Sequence, residues 1–187
     1  MIQILGGFLK GRSINTPKSA KTRPTQANMR EAIFNICQFR INNSTFLDLF
    51  AGSGAMGFEA ISRGAKSAYF VDKDKKAVAC IHKNASLLNV KSNVHLIQKD
   101  AVSALKSLEN SFDIIYIDPP YALIEDEFAC TLLSLIEKND LLKREGILFF
   151  EMSHQKKDWS CPLRILTLKK IRHYGSTDLL EFHYAPK

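Results

Sequence analysis

The hydrophobic pattern changes character near residue 45. From there on, short apolar runs alternate with segments whose apolar positions recur at helical spacing, which predicts alternating strands and helices. The predicted strands cover residues 45–50, 67–71, 94–98, 112–117 and 146–152, and the predicted helices cover residues 55–63, 74–88, 101–109 and 125–138. Strand–helix alternation of this size requires a parallel sheet with helices on both faces.

The two ends of the chain follow other patterns. Residues 2–14 predict a short hairpin, residues 15–28 a polar loop, and apolar positions at helical spacing predict a helix over residues 26–40. Residues 163–173 and 178–184 flank a turn with no helix between them, so they predict an antiparallel hairpin. The predicted fold is α/β and Rossmann-like, with a central, mostly parallel seven-stranded sheet, helices on both faces, an antiparallel C-terminal hairpin and a short N-terminal β-hairpin extension.

Composition and charge divide the chain further. It has 187 residues, of which 45% are hydrophobic and 24% charged, so it is a globular chain rather than a disordered one. The net charge of +7 is concentrated at the start, because residues 1–47 carry seven basic side chains and one acidic one, a net charge of +6. We therefore predict a basic N-terminal extension, residues 1–44, for contact with an anionic partner, and a nearly neutral domain, residues 45–187.

Several classes of protein are disfavoured. No apolar run approaches the ~18 residues that a membrane span needs, and the N-terminus lacks the order of charges found in secretory signals. The four cysteines and five histidines are too scattered for metal-ligand or disulfide spacing. The sequence thus predicts a cytoplasmic protein with reduced thiols, no metal and no membrane partner.

A glycine-rich turn follows the first predicted strand of the domain. Gly52, Gly54 and Gly57 form G-x-G-x-x-G between a strand and a helix, where glycines let a ligand approach the backbone N–H groups. Asp72 ends the next strand, 20 residues after Gly52, where a carboxylate can accept both ribose hydroxyls of a nucleoside cofactor. The alternative is a tight turn without a ligand.

An acid beside this turn favours one cofactor over another. Asp48 stands four residues before Gly52, where it would repel a dinucleotide pyrophosphate but suit the ammonium and sulfonium groups of S-adenosylmethionine. Asp48 could instead cap the turn, and Asp100 could accept from the adenine amino group, cap the following helix, or do both. The predicted cofactor-binding residues are Asp48, Ala51, Gly52, Ser53, Gly54, Asp72, Lys73, Asp100, Ala101 and Asp118.

A second motif, Asp118-Pro119-Pro120-Tyr121, follows the fourth strand of the domain. The prolines stiffen a turn whose carbonyls stay free as acceptors, so the acid and a proline carbonyl suit a planar amino group on a base. Two acceptors on its hydrogens would favour a pyramidal amine that attacks a sulfonium methyl group, and Tyr121 could stack on the base. These four residues are the predicted catalytic set, and a rigid surface turn is the alternative.

The motifs together resemble a known family. Asp48-x-x-Ala-Gly-Ser-Gly with Asp118-Pro-Pro-Tyr is similar to class I S-adenosylmethionine-dependent amino-methyltransferases. Further motifs resemble those of one branch of these enzymes, the RsmD-type 16S rRNA guanine-N2 methyltransferases. These motifs are Gly6-Gly7 with Arg12, Arg23-Pro24-Thr25, Arg30-Glu31-Ala32-Ile33-Phe34-Asn35 and Tyr174-Gly175-x-Thr177. In this chain Asp72 stands where many members carry Glu.

The resemblance implies a specific reaction. It implies methyl transfer from S-adenosylmethionine to the exocyclic N2 of guanine 966 in bacterial 16S rRNA, with S-adenosylhomocysteine as the other product. The substrate would be either naked RNA or the small ribosomal subunit. The enzyme would be a monomer that needs no metal. The basic extension would contact RNA through Lys10, Arg12, Lys21, Arg23 and Arg30.

Three other functions stay open at this level. A DNA adenine-N6 methyltransferase uses the same tetrapeptide, although 187 residues leave little room for a target-recognition domain. An NAD-dependent oxidoreductase fits the glycines but leaves Asp118-Pro-Pro-Tyr unused, and a non-catalytic RNA-binding module fits the basic extension. Glu151 ends the fifth strand, where it could shape a base pocket or form an edge-strand salt bridge, and the loop at residues 153–159 has no predicted role.

Overall fold

The computed structural model describes residues 1–17, 24–120, 126–154 and 161–185, with residues 24–26 and 126 described by their backbone only. The strands are β1 (Ile2–Gln3), β2 (Ser13–Ile14), β3 (Thr45–Asp48), β4 (Ser67–Val71), β5 (Val94–Ile97), β6 (Phe112–Ile117), β7 (Leu142–Ser153), β8 (Leu166–Tyr174) and β9 (Thr177–Tyr184). The helices are α1 (Pro24–Ile36), α2 (Ala55–Ser62), α3 (Lys75–Leu88), α4 (Ala101–Ser107) and α5 (Asp126–Lys138), with a 3-10 turn at Lys91–Asn93.

The main sheet has seven strands in the order β5-β4-β3-β6-β7-β9-β8, and a separate two-stranded sheet pairs β1 with β2. Strands β3 to β7 are parallel, while β9 pairs antiparallel with both β7 and β8. This confirms the predicted fold. The chain order reverses between β3 and β6, so the carboxyl ends of these two strands flank the crevice where such sheets bind ligands.

Each face of the sheet packs against its own set of helices. The first face, called here the α1 face, carries a core that includes Phe34 of α1, Phe58 of α2 and Ile81 of α3. The opposite face, the α5 face, carries Leu105 of α4 and Leu133 of α5. Strands buried on both faces read as continuous apolar runs, and β6 is the clearest case.

The described residues before Thr45 contribute to the core of the α1 face. Ile4, Leu9 and Ile14 lie in the same buried cluster as the sheet residues, and Phe34 stacks on Phe46 of β3 with 6.0 Å between ring centroids. The predicted boundary between residues 44 and 45 separates a segment predicted to contact an anionic partner from the neutral domain. In the structure, residues on both sides of this boundary share one hydrophobic core.

The largest differences from the predicted element bounds are in β7 and α1. Strand β7 begins at Leu142 rather than at residue 146, because Leu142 pairs with Phe112 across an irregularity in the β6–β7 ladder. Helix α1 begins at Pro24, which suits the first turn because its missing N–H would have no helical partner, and ends at Ile36. No helix among the described residues is both long enough and apolar enough to cross a membrane.

Candidate active site

The glycines of the turn after β3 serve two different purposes. Gly52 has a φ of +53°, and a Cβ there would meet nothing within 4 Å, so the turn leaves open space for a ligand beside its backbone. At Gly57, a Cβ would lie 2.2 Å from the ring of Phe70, so only glycine lets α2 pack this closely on β4. The first glycine therefore opens the crevice and the third one closes the helix onto the sheet.

Asp48 is buried at the carboxyl end of β3. Its side chain is 1% exposed, and its Oδ2 accepts a hydrogen bond of 3.2 Å from the backbone N–H of Gly57. The predicted capping role is thus present in the structure. Burial raises the pKa of Asp48 to about 7, so a cation bound beside it would favour the charged form.

Asp72 connects the end of β4 to the glycine-rich turn. Its Oδ2 accepts from the N–H of Gly52 and its Oδ1 from the N–H of Asp74, both at 2.9 Å. Carboxylate oxygens have further lone pairs, so Asp72 can hold the turn and still accept ribose hydroxyls. Lys73 is exposed at the same edge, and its cofactor contact stays a prediction.

Asp100 caps helix α4. Its Oδ1 accepts from the backbone N–H of Ser103 at 2.9 Å, and hydrogen bonds from Ser103 lower its pKa. Asp100 is exposed while Ala101 beside it is buried. The capping alternative is confirmed, and the contact with an adenine amino group stays a prediction.

Sequence reasoning missed Asn84 of α3, which is fully buried. Its Oδ1 accepts from the N–H of Asn15 at 2.8 Å, and its Nδ2 donates to the carbonyls of Asn15 at 3.0 Å and Ser53 at 3.1 Å. One side chain therefore joins the N-terminal segment to the glycine-rich turn. The available signal was an amide within the apolar stripe of Ile81 and Leu88.

The second predicted motif lies beside the first at the carboxyl edge of the sheet. Asp118 follows β6 directly and is half-buried, Pro119 is buried and Pro120 is exposed, while Tyr121 lies outside the described residues. The ladder between β6 and β7 pairs Ile117 with Phe150, which places Asp118 next to Glu151. The hydroxyl of Tyr116 donates a hydrogen bond to Glu151 Oε1.

These acids share a poorly solvated environment. Burial raises the pKa of Asp118 to about 6. Burial, with the nearby charge of Asp118, raises the pKa of Glu151 to about 8, and burial also raises the pKa of Tyr116. Two neighbouring carboxyl groups of this kind provide several acceptors for the N–H groups of a neutral amine, and either one can hold a proton near neutral pH.

Two exposed residues that were predicted to contact RNA lie near the amino-terminal ends of the parallel strands (the amino edge), away from the crevice at their carboxyl ends. Lys10 and Arg12 are exposed, and Arg12 Nη2 donates to the carbonyl of Leu87, near the end of α3, at 2.8 Å. Helix α3 starts after the carboxyl end of β4 and returns toward the amino edge, so Arg12 lies away from Asp118. The predicted contacts Lys21 and Arg23 lie outside the described residues.

Arg30 is a correction to the predicted RNA contacts. It is 6% exposed, its Nη2 donates to the carbonyl of Gln3 at 2.8 Å, and its Nε lies 3.6 Å from Glu59. Glu59 is itself buried and also binds Arg63, with 2.7 Å between Nε and Oε1, and the N–H of Leu5. A guanidinium enclosed in this way fastens α1 to the N-terminal hairpin and cannot reach a nucleic acid backbone.

The C-terminal hairpin brings further side chains to the carboxyl edge. Thr177 pairs with Ser153, and Tyr174 packs against the core of the α1 face. His154 and His173 are far apart in the sequence, but both form hydrogen bonds with Asp178 Oδ1. The distances from their Nδ1 atoms are 2.8 and 2.6 Å. Hydrogen bonds account for this cluster, and the absence of a metal stays a prediction.

The fold and the site together define a class I methyltransferase: a reversed strand, β9, is inserted beside the last parallel strand, and the glycine-rich turn lies at the switch point with Asp118 across from it. The chain belongs to the family described as Conserved hypothetical protein 95, whose sequence pattern matches residues 2–183. The family resemblance expected from the motifs is thereby confirmed.

Relatives and solved structures agree with this assignment. Proteins named ribosomal RNA small subunit methyltransferase D are similar to this chain in Buchnera aphidicola (subsp. Baizongia pistaciae), at 36% identity over 90% of this chain and 85% of that one, and in Escherichia coli K12, at 34% identity over 80% and 74%. A solved structure from Escherichia coli, yhhF, provisionally described as a methyltransferase, has a TM-score of 0.84 and 28% identity over 98% of this chain and 97% of that one.

Proposed function

We propose that this methyltransferase transfers a methyl group from S-adenosylmethionine to the exocyclic N2 amino group of a guanine in 16S rRNA, with S-adenosylhomocysteine as the other product. The supporting observation is the position of Asp118 and Pro119 directly across the switch point from Asp48 and the glycine-rich turn. The turn proposed to bind the amine and the turn proposed to bind the nucleoside thus flank one crevice. The names of the relatives at 34–36% identity support rRNA as the substrate.

The residues around the crevice suit this cofactor. The open backbone at Gly52 admits the cofactor, Asp72 accepts from the ribose, and Asp100 lies at the same edge for the adenine amino group. Asp48 is a buried carboxyl group, and the positive charge of the ammonium or sulfonium group would stabilise its ionised form. A pyrophosphate is negatively charged and would destabilise the ionised form of Asp48. The site therefore favours methyl transfer from S-adenosylmethionine over an NAD-dependent reaction.

The chemistry follows from the acceptors at the end of β6. When bound, S-adenosylmethionine supplies a methyl group already activated by its sulfonium. Asp118 and the carbonyl of Pro119 accept the two N–H groups of the target amine, which localises the nitrogen lone pair and orients it toward that methyl group. After transfer the amine loses a proton, which the carboxylate of Asp118 takes up or passes to water. Tyr121 is proposed to stack on the flipped base.

The partner is proposed to be 16S rRNA or the small ribosomal subunit, which would place the enzyme in the cytoplasm. The segment between Pro17 and Pro24 carries Lys18, Lys21 and Arg23. On one side it follows Asn15, which Asn84 joins to Ser53 of the glycine-rich turn, and on the other side it leads into α1. We propose this segment, together with the exposed Lys10 and Arg12, as the contact with the RNA backbone.

The decisive experiment is methyl transfer with labelled S-adenosylmethionine. The purified chain is incubated with 16S RNA, with small ribosomal subunits and with duplex DNA, and the labelled nucleosides are separated. Label in N2-methylguanosine, lost in Asp118→Asn and kept in the exposed control Asp140→Asn, is the expected result. Label in N6-methyladenosine from DNA, or RNA binding without any labelled product, would overturn the proposal.

A further inference from the structure

We propose that Glu151 determines the base specificity of this site by accepting a hydrogen bond from the N1–H of the target guanine. The inference rests on the proposed function, because it concerns the same pocket. It extends that function from the atom that is methylated to the edge of the base that is recognised.

The first step is the position of Glu151 in the sheet. Strand β7 lies between β6 and β9, so Glu151 is on an internal strand. The alternative role considered from the sequence, a salt bridge on an edge strand, does not fit this position. Phe149 pairs with Tyr116 and packs in the core of the α1 face, and side chains two residues further along point to the same face. Glu151 and Asp118 therefore project side by side on this face, at the carboxyl edge.

The second step is how Glu151 is held. Tyr116 donates its hydroxyl to Oε1 of Glu151, which fixes the carboxyl group and leaves Oε2 for a ligand. Burial raises the pKa of Glu151 to about 8, but hydrogen bonds from Tyr116 and from a bound N–H donor stabilise the ionised form, and this is the form that accepts. Among the described residues, no lysine or arginine forms an ion pair with Glu151. A half-buried carboxyl group oriented by a buried phenol, without a neutralising cation, is a group placed to receive a donor from a ligand.

The third step is the chemistry of the base. Guanine presents two adjacent donors, N1–H and the N2 amino group, and these match two adjacent acceptors, Glu151 and Asp118. Adjacent strands lie about 4.8 Å apart, so their side chains can converge on one edge of a base. Adenine and 2-aminopurine carry a lone pair at N1, which would face a carboxylate. A site built to accept an N–H rejects analogues that lack it by large factors, on the order of 10⁴.

The test uses a base that keeps the amine and loses the N1 hydrogen. Small ribosomal subunits are reconstituted from 16S RNA that carries either guanosine or 2-aminopurine riboside at the methylated position. The rate of methyl transfer to each is measured for the wild type, Glu151→Gln, Glu151→Ala and the exposed control Glu109→Gln. Thermal unfolding of every variant confirms that the fold is intact.

The expected result is a change in the ratio of the two rates. The wild type and Glu109→Gln prefer guanosine by about 100-fold or more. Glu151→Gln reduces this preference to about tenfold or less, since its amide can turn an N–H toward the N1 lone pair. If Glu151→Gln and Glu151→Ala slow both substrates by the same factor, Glu151 does not read N1 and the inference is overturned. If the wild type modifies neither particle, the proposed function itself fails.

Discussion

Tyr116 and Glu151, on neighbouring strands of the sheet, are joined by a hydrogen bond from the phenol hydroxyl to a carboxylate oxygen. Tyr116 is 6% exposed and packs in the core of the α1 face. The core therefore sets the direction of a carboxyl group at the rim of the crevice. The orientation of Glu151 thus depends on a residue that is itself buried.

Removing that hydroxyl tests this dependence. We expect Tyr116→Phe to fold normally and to lower kcat/KM for methyl transfer by about tenfold, because hydrogen bonds to charged groups contribute about 1.5–3 kcal/mol. The affinity for S-adenosylhomocysteine, measured by calorimetry, should stay within about twofold of the wild type. Tyr69→Phe removes a hydroxyl that accepts from Asn110 at 2.8 Å, and serves as the matched control. Equal losses in the two variants would count against a specific role of Tyr116.

Asp118 is expected to act on the amine and not on cofactor affinity. Asp118→Ala should abolish methyl transfer and leave the Kd for S-adenosylmethionine within a few-fold of the wild type, because the carboxylate is proposed to contact the target amine and not the cofactor. Calorimetry and a single-turnover assay measure the two effects separately. A variant that no longer binds the cofactor would contradict this assignment.

The raised pKa of Asp118 predicts how activity depends on pH. Burial raises it to about 6, and only the ionised carboxylate can accept both an amine hydrogen and the proton released. Asp48 and Glu151 face the same space with pKa values raised to about 7 and about 8, so the profile is measured at saturating S-adenosylmethionine and in Glu151→Gln. In that variant the rate of methyl transfer should be constant well above pH 6 and fall about tenfold per pH unit well below it. A profile that stays flat down to pH 5 would contradict the assignment.

Asp48 is expected to lower the stability of the protein at neutral pH. Its pKa is raised by burial from the ordinary 3.8 to about 7, so the folded state holds a proton that the unfolded state releases, and stability falls as pH rises between these values. Asp48→Asn should raise the free energy of unfolding by roughly 1–3 kcal/mol above pH 7 and change it little near pH 4. The same substitution should weaken S-adenosylmethionine binding.

Urea unfolding at a series of pH values measures this effect, with Asp140→Asn as the control. Asp140 is exposed with a φ of +48°, a conformation that asparagine also tolerates. Destabilisation of Asp48→Asn at pH 8 would show that the charged carboxylate stabilises the turn after all.

Asn84 is expected to couple the cofactor turn to the rest of the chain. Asn84→Ala leaves the N–H of Asn15 and the carbonyl of Ser53 without their partner, which should cost about 1–3 kcal/mol in the free energy of unfolding. Because the turn loses a support, the Kd for S-adenosylhomocysteine should rise by about three- to tenfold. The exposed Asn35→Ala is the control for both measurements. An unchanged Kd would limit Asn84 to a structural role.

The sequence was sufficient to predict the strands and the positions of residues at the ends of strands, because these depend on local residue patterns. Continuous apolar runs such as Ile114–Ile117 identify strands buried on both faces, and the spacing from Gly52 to Asp72 places an acid at the end of the neighbouring strand. Both follow from chain periodicity and from the rule that ligands bind at the carboxyl ends of parallel strands.

The sequence did not predict what depends on partners far along the chain. From the sequence, Arg30 was predicted to contact nucleic acid. In the structure it is buried beside Glu59, which lies 29 residues further along the chain. Lys10 and Arg12 share a basic segment with Arg30, but the chain carries them to the amino edge. The place of Glu151 beside Asp118 depends on the register of β7, which no local pattern of the two segments specifies.

The packing of α1 over the sheet has a consequence for the evolution of this family. A chain trimmed to begin at Thr45 would leave Phe46 and Phe149, both fully buried, uncovered on one face. The N-terminal segment, which is proposed to contact RNA, therefore shares its core with the catalytic sheet and cannot be exchanged between relatives as a module, as an appended domain can. New RNA targets would then have to arise by changes on the surface of the existing helix and hairpin, within limits set by the catalytic sheet beneath them.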